Sequence, residues 1–322
     1  MENFQEEHTI AILDRDHQLI LKPDNFKGKY GCMIIFDDQK SKTELRYKLT
    51  IQFLGKTDDF TNSFRISRLP EFYLDDKVPE DFLDKLAYEV SNVIYPLEIE
   101  TLRNGQIHTI LNHDEVVSRW NQTKKKLQKK YKGPLVDKYI NLTDKSLRSE
   151  DVFYDKMSKD WFLQLYFAPL YNLYNDGFSF EHSISYPIAG KALAVHYNTK
   201  FKVEDLKKEM SEDIIIKISG DIDDERCALD IENELDDPYY AKINPEEKKL
   251  KGTCDLTYLL DKKTGIVEGY EGDFETQFTT QKKVTVKMFL LEKMNDHSVL
   301  IEDEEENKEE NQKGFWAKLF KK

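Results

Sequence analysis

Between Tyr95 and Tyr131 the hydrophobic period of the chain changes from two to 3.6, and this change restricts the fold more than any other stretch. Leu97, Ile99 and Thr101 alternate with Glu98 and Glu100, the pattern of a strand with one buried face. Asn104-Gly105 follows, a pair that takes positive φ at little cost and reverses the chain tightly. A return strand then carries Ile107, Thr109 and Leu111 on one face. Asn112 or Asp114 is placed to cap a helix in which Val116, Trp120, Leu127 and Tyr131 share a stripe, until Gly133-Pro134 stops it. A hairpin alone hides too little apolar surface to be stable in water, and an amphipathic helix laid on it supplies the missing cover.

The flanking sequence extends this pattern. Lys29 to Phe36, Leu45 to Leu54 and Phe64 to Leu69 read as strands, and Pro70 and Pro79 bracket a connector. Phe82, Leu86, Val90 and Val93 predict a helix over 81–93. Residues 135–175 change character: the run WFLQLYFAPLYNLYN from Trp161 to Asn175 predicts helices interrupted at Pro169. From Asp176 to about Glu292 the patterning is mostly extended, Cys227 to Ile231 included, with a short helix expected over Val203 to Met210. The expected class is α+β, with antiparallel sheets in the N- and C-terminal halves and a helical connector packed between or on them. The expected divisions are 1–134, a helical connector over 135–175, a second β region over 176–297, an acidic linker over 298–313 and a peptide over 314–322.

Composition narrows the function classes. With 61 acidic and 48 basic residues the formal charge is −13, which opposes bulk binding to phosphate backbones. Three widely spaced cysteines, Cys32, Cys227 and Cys254, fit a reducing compartment. The N-terminal segment lacks the pattern of a secretory signal, and no apolar run approaches the roughly 20 residues that span a bilayer. The expected location is cytoplasmic. No zinc, phosphate-loop, dinucleotide or nucleophile-elbow fingerprint occurs, so no cofactor or metal is expected.

Four weaker constellations have ordinary structural explanations. Lys124, Lys125, Lys126, Lys129, Lys130 and Lys132 sit toward a helix C-terminus, where cations complement the dipole. Asp221, Asp223, Glu225 and Glu232 fall at calcium-loop offsets, but Arg226 occupies the position that requires glycine. His182 and His196 fall on neighbouring strands without a third ligand. Glu98 and Glu100 share a strand face, where exposed positions are commonly acidic; a hydrolase whose two carboxylates lie far apart in the chain is a third function class, behind a carrier that holds an apolar ligand near 161–174.

The strongest functional signal lies at 314–322. Residues 301–313 carry seven acids and one apolar residue, too little to order themselves. They lead to GFWAKLFKK, in which Phe315, Trp316, Leu319 and Phe320 share one helical side, with Lys318, Lys321 and Lys322 toward the other. Burying four such side chains releases on the order of 6–12 kcal/mol before ordering costs, enough for a dock into a protein groove. Contact with an anionic membrane is the weaker expectation, because the acidic linker is repelled by the same surface. The sequence therefore predicts a binding or adaptor protein that meets a partner protein through these seven residues.

Overall fold

The structure is a computed structural model that describes residues 12–13, 17–58, 61–188, 193–204, 213–244, 246 and 249–294. Two short strands, β1 (Ile12–Leu13) and β2 (Gln18–Leu19), pair with each other. The long strands β3 (Lys27–Asp37), β4 (Lys42–Asp58) and β5 (Thr61–Leu74) lead to α1 (Phe82–Ser91) and a 3-10 turn at Asn92–Ile94. Then come the hairpin β6 (Leu97–Leu102) and β7 (Ile107–Ile110), followed by α2 (His113–Lys130), α3 (Pro134–Ser146), α4 (Glu150–Met157) and α5 (Trp161–Tyr166). The chain continues through β8 (Ser179–Tyr186), β9 (Val195–Glu204) and β10 (Asp213–Ile222). Short helices α6 (Ala228–Glu232) and α7 (Tyr240–Ile243) precede β11 (Lys251–Asp261), β12 (Val267–Gln277) and β13 (Gln281–Lys293).

Where the patterning predicts a sheet in each half, eleven strands form one open antiparallel sheet in the order β7-β6-β5-β4-β3-β13-β12-β11-β10-β9-β8. All neighbours but one are consecutive in sequence. The exception is the seam between β3 and β13, where Cys32 faces Met288 and Ile34 faces Val286. Local alternation cannot report a pairing between strands about 250 residues apart, so each half reads as complete by itself.

One sheet face is apolar. Tyr30, Leu49, Ile66, Ile99, Phe201, Ile216, Tyr258, Tyr270 and Val286 are all buried there. The segment from Trp161 to Tyr174 packs against it. The Tyr30 and Tyr166 hydroxyls lie 3.1 Å apart, Tyr258 Oη donates to the Leu165 carbonyl at 2.9 Å, and Tyr171 Oη donates to the Gly265 carbonyl at 2.8 Å. Phe167 meets Phe64 of β5 and Trp161 meets Phe274 of β12. The sheet is therefore curled around α5. Its outermost strands are tied to the helices that fill the opening: Tyr154 Oη of α4 donates to the Ile107 carbonyl of β7 at 3.0 Å, and Gln164 Nε2 of α5 donates to the Ser185 carbonyl of β8.

The other sheet face is polar and carries cross-strand charge pairs, among them Arg65–Glu98, Lys48–Glu71, Lys283–Asp273 and Lys287–Glu271. The alternation of β9, buried at every odd position from Val195 to Val203 and exposed or half-buried between, shows the division in one strand.

Several local expectations are corrected. Strand β5 runs through Pro70 to Leu74, because a bulge between Arg68 and Phe72 and the end of β6 at Leu97 leave Pro70 without a partner that needs its missing N–H. A register shift places Ile110 opposite Ile99 and Ile107 opposite Thr101, so Ile110 is buried and Leu111 turns outward. Asn112 stands at the N-cap of α2, but its side chain caps no backbone N–H of the helix and meets it only where Nδ2 donates to Glu115 Oε2 at 3.4 Å. Its side chain accepts from Glu98 N at 2.9 Å and donates to the Pro96 carbonyl at 3.0 Å, which clasps β6. Residues 228–232 are helical, since Asp230 accepts the Cys227 N–H and closes the first turn. The helix expected over Val203 to Met210 begins inside β9, and its remainder lies outside the described residues.

Candidate functional site

Phe64, Ile66 and Arg68 occupy alternate positions of β5, so the strand period that buries two apolar side chains carries a guanidinium to the same face. Three aromatic rings receive it. The Arg68 guanidinium carbon stands 4.7 Å from the Tyr95 ring centroid, 5.0 Å from Tyr47 and 5.7 Å from Phe72. Nη1 donates to Ser91 Oγ of α1 at 3.0 Å, and Ser91 Oγ in turn donates to the Tyr88 carbonyl at 3.0 Å. Nε is buried and has no acceptor among the described residues.

Burial alone would make Arg68 less basic. The phenol oxygens of Tyr95 and Tyr47 and the Asp160 carboxyl outweigh that and hold its proton more firmly. Burial raises the Asp160 carboxyl above the ordinary range. The Leu163 N–H, which it accepts at 2.9 Å, and the charge of Arg68 offset only part of this. Tyr95 is pushed up to about 12 by burial, against the pull of Arg68.

Along this edge of β5 lies a hollow of about 240 Å³, lined by Ser67, Arg68, Leu69, Pro70, Tyr88, Asn92, Tyr95 and Pro96. It exists because β6 stops pairing with β5 at Leu97–Ile66, so the edge of β5 beyond that point faces α1 across a gap. Tyr88 spans one end through a 3.3 Å bond to the Pro70 carbonyl.

A second hollow, of about 270 Å³, lies where the sheet fails to close. Ile107 of β7 and Ile184 of β8 stand on its walls with Tyr154, Leu163, Gln164 and Phe167. Gln164 Oε1 is buried with no partner among the described residues. On the polar face, two adjoining furrows of about 640 and 600 Å³ cross β8 to β12 between rows that include Glu181, Lys200, Lys217, Asp255 and Glu271.

The peptide residues Phe315, Trp316, Lys318, Leu319, Phe320, Lys321 and Lys322 lie outside the described residues, as does the 298–313 linker. The aromatic run at 161–174 is largely core, with Trp161, Phe162, Leu165, Tyr166 and Leu170 buried. The lysine run divides: Lys124 pairs with Asp144 at 2.5 Å and Lys130 with Glu89 at 2.8 Å, while Lys125, Lys126 and Lys129 face solvent.

The acids at calcium-loop offsets do not converge. Asp223 accepts from Asn198, Glu232 accepts from Thr279, and Arg226 is held by Asp224 at 2.7 Å. Among the described residues no three His, Cys, Asp or Glu side chains group as metal ligands. His182 opposes Thr199 and its ring meets Phe201, whereas His196 bonds Ser185 Oγ from the opposite parity of β9, so strand pairing separates the two. Glu98 is engaged by Arg65 through Nε at 2.8 Å and Nη2 at 2.6 Å.

Sequence reasoning passed over Arg68, Asn92 and Gln164. The available signal was Arg68 itself, a charged residue in phase with the apolar positions of its strand.

No family model and no curated protein matches this chain. Among solved structures it is similar to one described as "Lipid-protein interactions in lipovitellin", with a TM-score of 0.42 and 13% sequence identity, over 85% of this chain and 26% of that one. The chain thus spans about a quarter of that protein's length.

Proposed function

We propose that this chain is a non-enzymatic binding protein of the cytoplasm, an adaptor that meets a larger protein assembly through the peptide 314–322. In this reading Phe315, Trp316, Leu319 and Phe320 fill pockets on the partner, Lys318, Lys321 and Lys322 set the orientation, and residues 135–175 join the two β regions of one rigid body. The observation that carries the reading is the origin of the linker. It leaves the sheet from β13, the sixth of eleven strands, which is paired with β12 on one side and β3 on the other. The chain is still held at Met294, whose N–H donates to the Lys27 carbonyl at 2.8 Å, and Lys293 is paired with both Asp261 and Glu268. A load on the linker falls on a central strand with two ladders, the arrangement that suits a tether.

The test compares the intact chain, a version ending at Lys313 and Trp316→Ala as baits. A partner retained by the intact chain, lost with both variants and released by free GFWAKLFKK peptide supports the reading. Identical partner lists for all three baits overturn it, as does sedimentation of the intact chain with anionic vesicles in place of protein capture.

One observation favours a second reading, carriage of an apolar ligand with a single donor group. The hollow between β7 and β8 combines the apolar walls of Ile107, Leu163, Phe167 and Ile184 with the unpartnered acceptor Gln164 Oε1. Mass spectrometry of small molecules released from the purified chain decides it, since an empty protein removes the carrier.

A further inference from the structure

The two outermost strands of the sheet end it differently. β7 has four residues and a register shift beside it, features that blunt a sheet edge. β8 has eight residues, SFEHSISY, with neither lysine nor proline, and its pairing with β9 runs without a shift from Ser179 to Tyr186. Parity decides which of its backbone groups are left over. Val203 N donates to the Phe178 carbonyl at 2.9 Å, so the even residues of β8 face β9 and the odd ones face away. At one end Ser179 exchanges bonds with Asn175, and at the other the Ser185 carbonyl accepts from Gln164 Nε2. Between them the N–H and C=O groups of Glu181 and Ser183, both exposed residues, have no partner among the described residues. On the inner face Phe180, His182 and Ile184 are only half-buried, whereas Phe201, Thr199 and Tyr197 opposite them on β9 are buried.

This edge takes a strand of one direction. Every pairing in the sheet is antiparallel, so the first and eleventh strands, β7 and β8, run the same way. An extended segment running against β8 also runs against β7 and continues the alternation. The hollow between these strands reaches Ser183. The N-terminal part of the chain enters beside the start of β8. The His17 ring lies 4.6 Å from that of Phe178, Tyr174 N donates to the His17 carbonyl at 3.0 Å, and Leu19 N donates to the Asn172 carbonyl at 3.1 Å. The chain reverses between Asn175 and Ser179, Gln18 of β2 pairs antiparallel with Leu173, and β1 pairs antiparallel with β2, so β1 runs against β8. Residues that lead straight into Ile12 therefore arrive in the sense the edge requires. At about 3.3 Å per residue, residues 4–11 reach about 26 Å, twice the run of about 13 Å from Ser179 to Ser183. Their sequence, FQEEHTIA, has no proline or glycine to interrupt a strand, and Ile10 keeps the parity of Ile12.

We propose that residues 4–11 of the same chain add one more strand to the sheet, antiparallel along the β8 edge from Glu181 to Ser183. The contact belongs to the folded body and is independent of the peptide at 314–322.

The test is amide hydrogen exchange, resolved to single residues of β8, in the full chain, in a version that starts at Ile12 and in Ile10→Pro. The amides of Phe180, His182 and Ile184 are expected to stay protected in all three, which reports an intact ladder with β9. Glu181 and Ser183 are expected to exchange about tenfold or more slowly in the full chain than in the shortened one. Ile10→Pro is expected to match the shortened chain, because proline breaks a paired strand, and it supplies the comparison if the shortened chain does not fold. Equal exchange of Glu181 and Ser183 in the full chain and the variants overturns the proposal. Protection that fades when the full chain is diluted assigns the edge to a second molecule, and overturns the pairing within one chain.

Discussion

Cys32 on β3 stands directly across the ladder from Met288 on β13, and through this pair the two halves of the chain share one sheet. Both side chains are buried, Met288 completely. Truncating Met288 to alanine leaves a cavity at the seam and is expected to cost about 2–4 kcal/mol. Because the seam lies in the middle of a continuous sheet, the loss falls on both halves together. Trp120 lies in α2 and Trp161 in α5, so tryptophan fluorescence and far-ultraviolet circular dichroism of Met288→Ala are expected to lose structure at one shared, lowered urea midpoint. Two separated transitions would show the halves to be independent units.

The inner face also contains tyrosines in two unlike states. Tyr258 donates to the Leu165 carbonyl, whereas the hydroxyl of Tyr270, whose ring centroid lies 5.3 Å from that of Tyr258, is buried with no partner among the described residues. Tyr258→Phe removes a donor and strands a carbonyl, at a cost of about 0.5–1.5 kcal/mol. Tyr270→Phe removes an unmet group and is expected to be neutral or to stabilise by about 1 kcal/mol. Equilibrium denaturation of the two variants should give opposite signs, and equal losses would contradict the assigned bonding.

These contrasts also show what was legible in the sequence. The inner residues Leu97, Ile99 and Thr101, the Asn104-Gly105 reversal and the stripe Val116, Trp120 and Leu127 each follow from a period that a few neighbouring residues express. The seam at Cys32 and Met288 was not legible, because both strands alternate equally well beside any apolar neighbour. Asn112 looked like a helix cap since the strand it clasps lies 14 residues earlier, and Cys227 to Ile231 looked extended because the bonds of Asp230 come from the loop ahead. The Arg68 hollow depends on where β6 stops, which no local pattern states.

Asp230 carries the acid sensitivity of the 227–241 loop. It is buried and accepts from Cys227 N at 2.9 Å, Tyr239 N at 2.9 Å and Tyr240 N at 2.6 Å. Burial alone would raise its carboxyl, but these donors outweigh burial and hold it at about 2 against an ordinary 3.8. A depressed carboxylate contributes stability that is fully present above the unfolded value and is lost as pH falls toward the folded one. Asp230→Asn is therefore expected to cost about 2–3 kcal/mol at pH 7, with the gap from the parent closing between roughly pH 4 and pH 2. Urea midpoints measured across that range check the sign, and a gap that widens with acidity would contradict it.

Gly105 and Gly133 separate two costs that usually arrive together. Both have φ values that side chains rarely adopt, +98° and +123°. At Gly133 a Cβ would meet nothing within 4 Å, so Gly133→Ala reports backbone strain alone, about 1–3 kcal/mol. At Gly105 the same atom would lie 2.9 Å from the Ala168 carbonyl oxygen and 2.8 Å from the Tyr171 ring. Neither neighbour is free to yield: Tyr171 N donates to the Asn104 carbonyl, and Tyr171 Oη donates to the Gly265 carbonyl. Gly105→Ala is therefore expected to cost at least about 1–2 kcal/mol more than Gly133→Ala, since a close contact is added to the strain. Tyr171→Phe measured alongside should lose only its hydroxyl bond, about 1 kcal/mol. Equal losses at the two glycines would mean that the hairpin turn does not rest on the 168–171 segment.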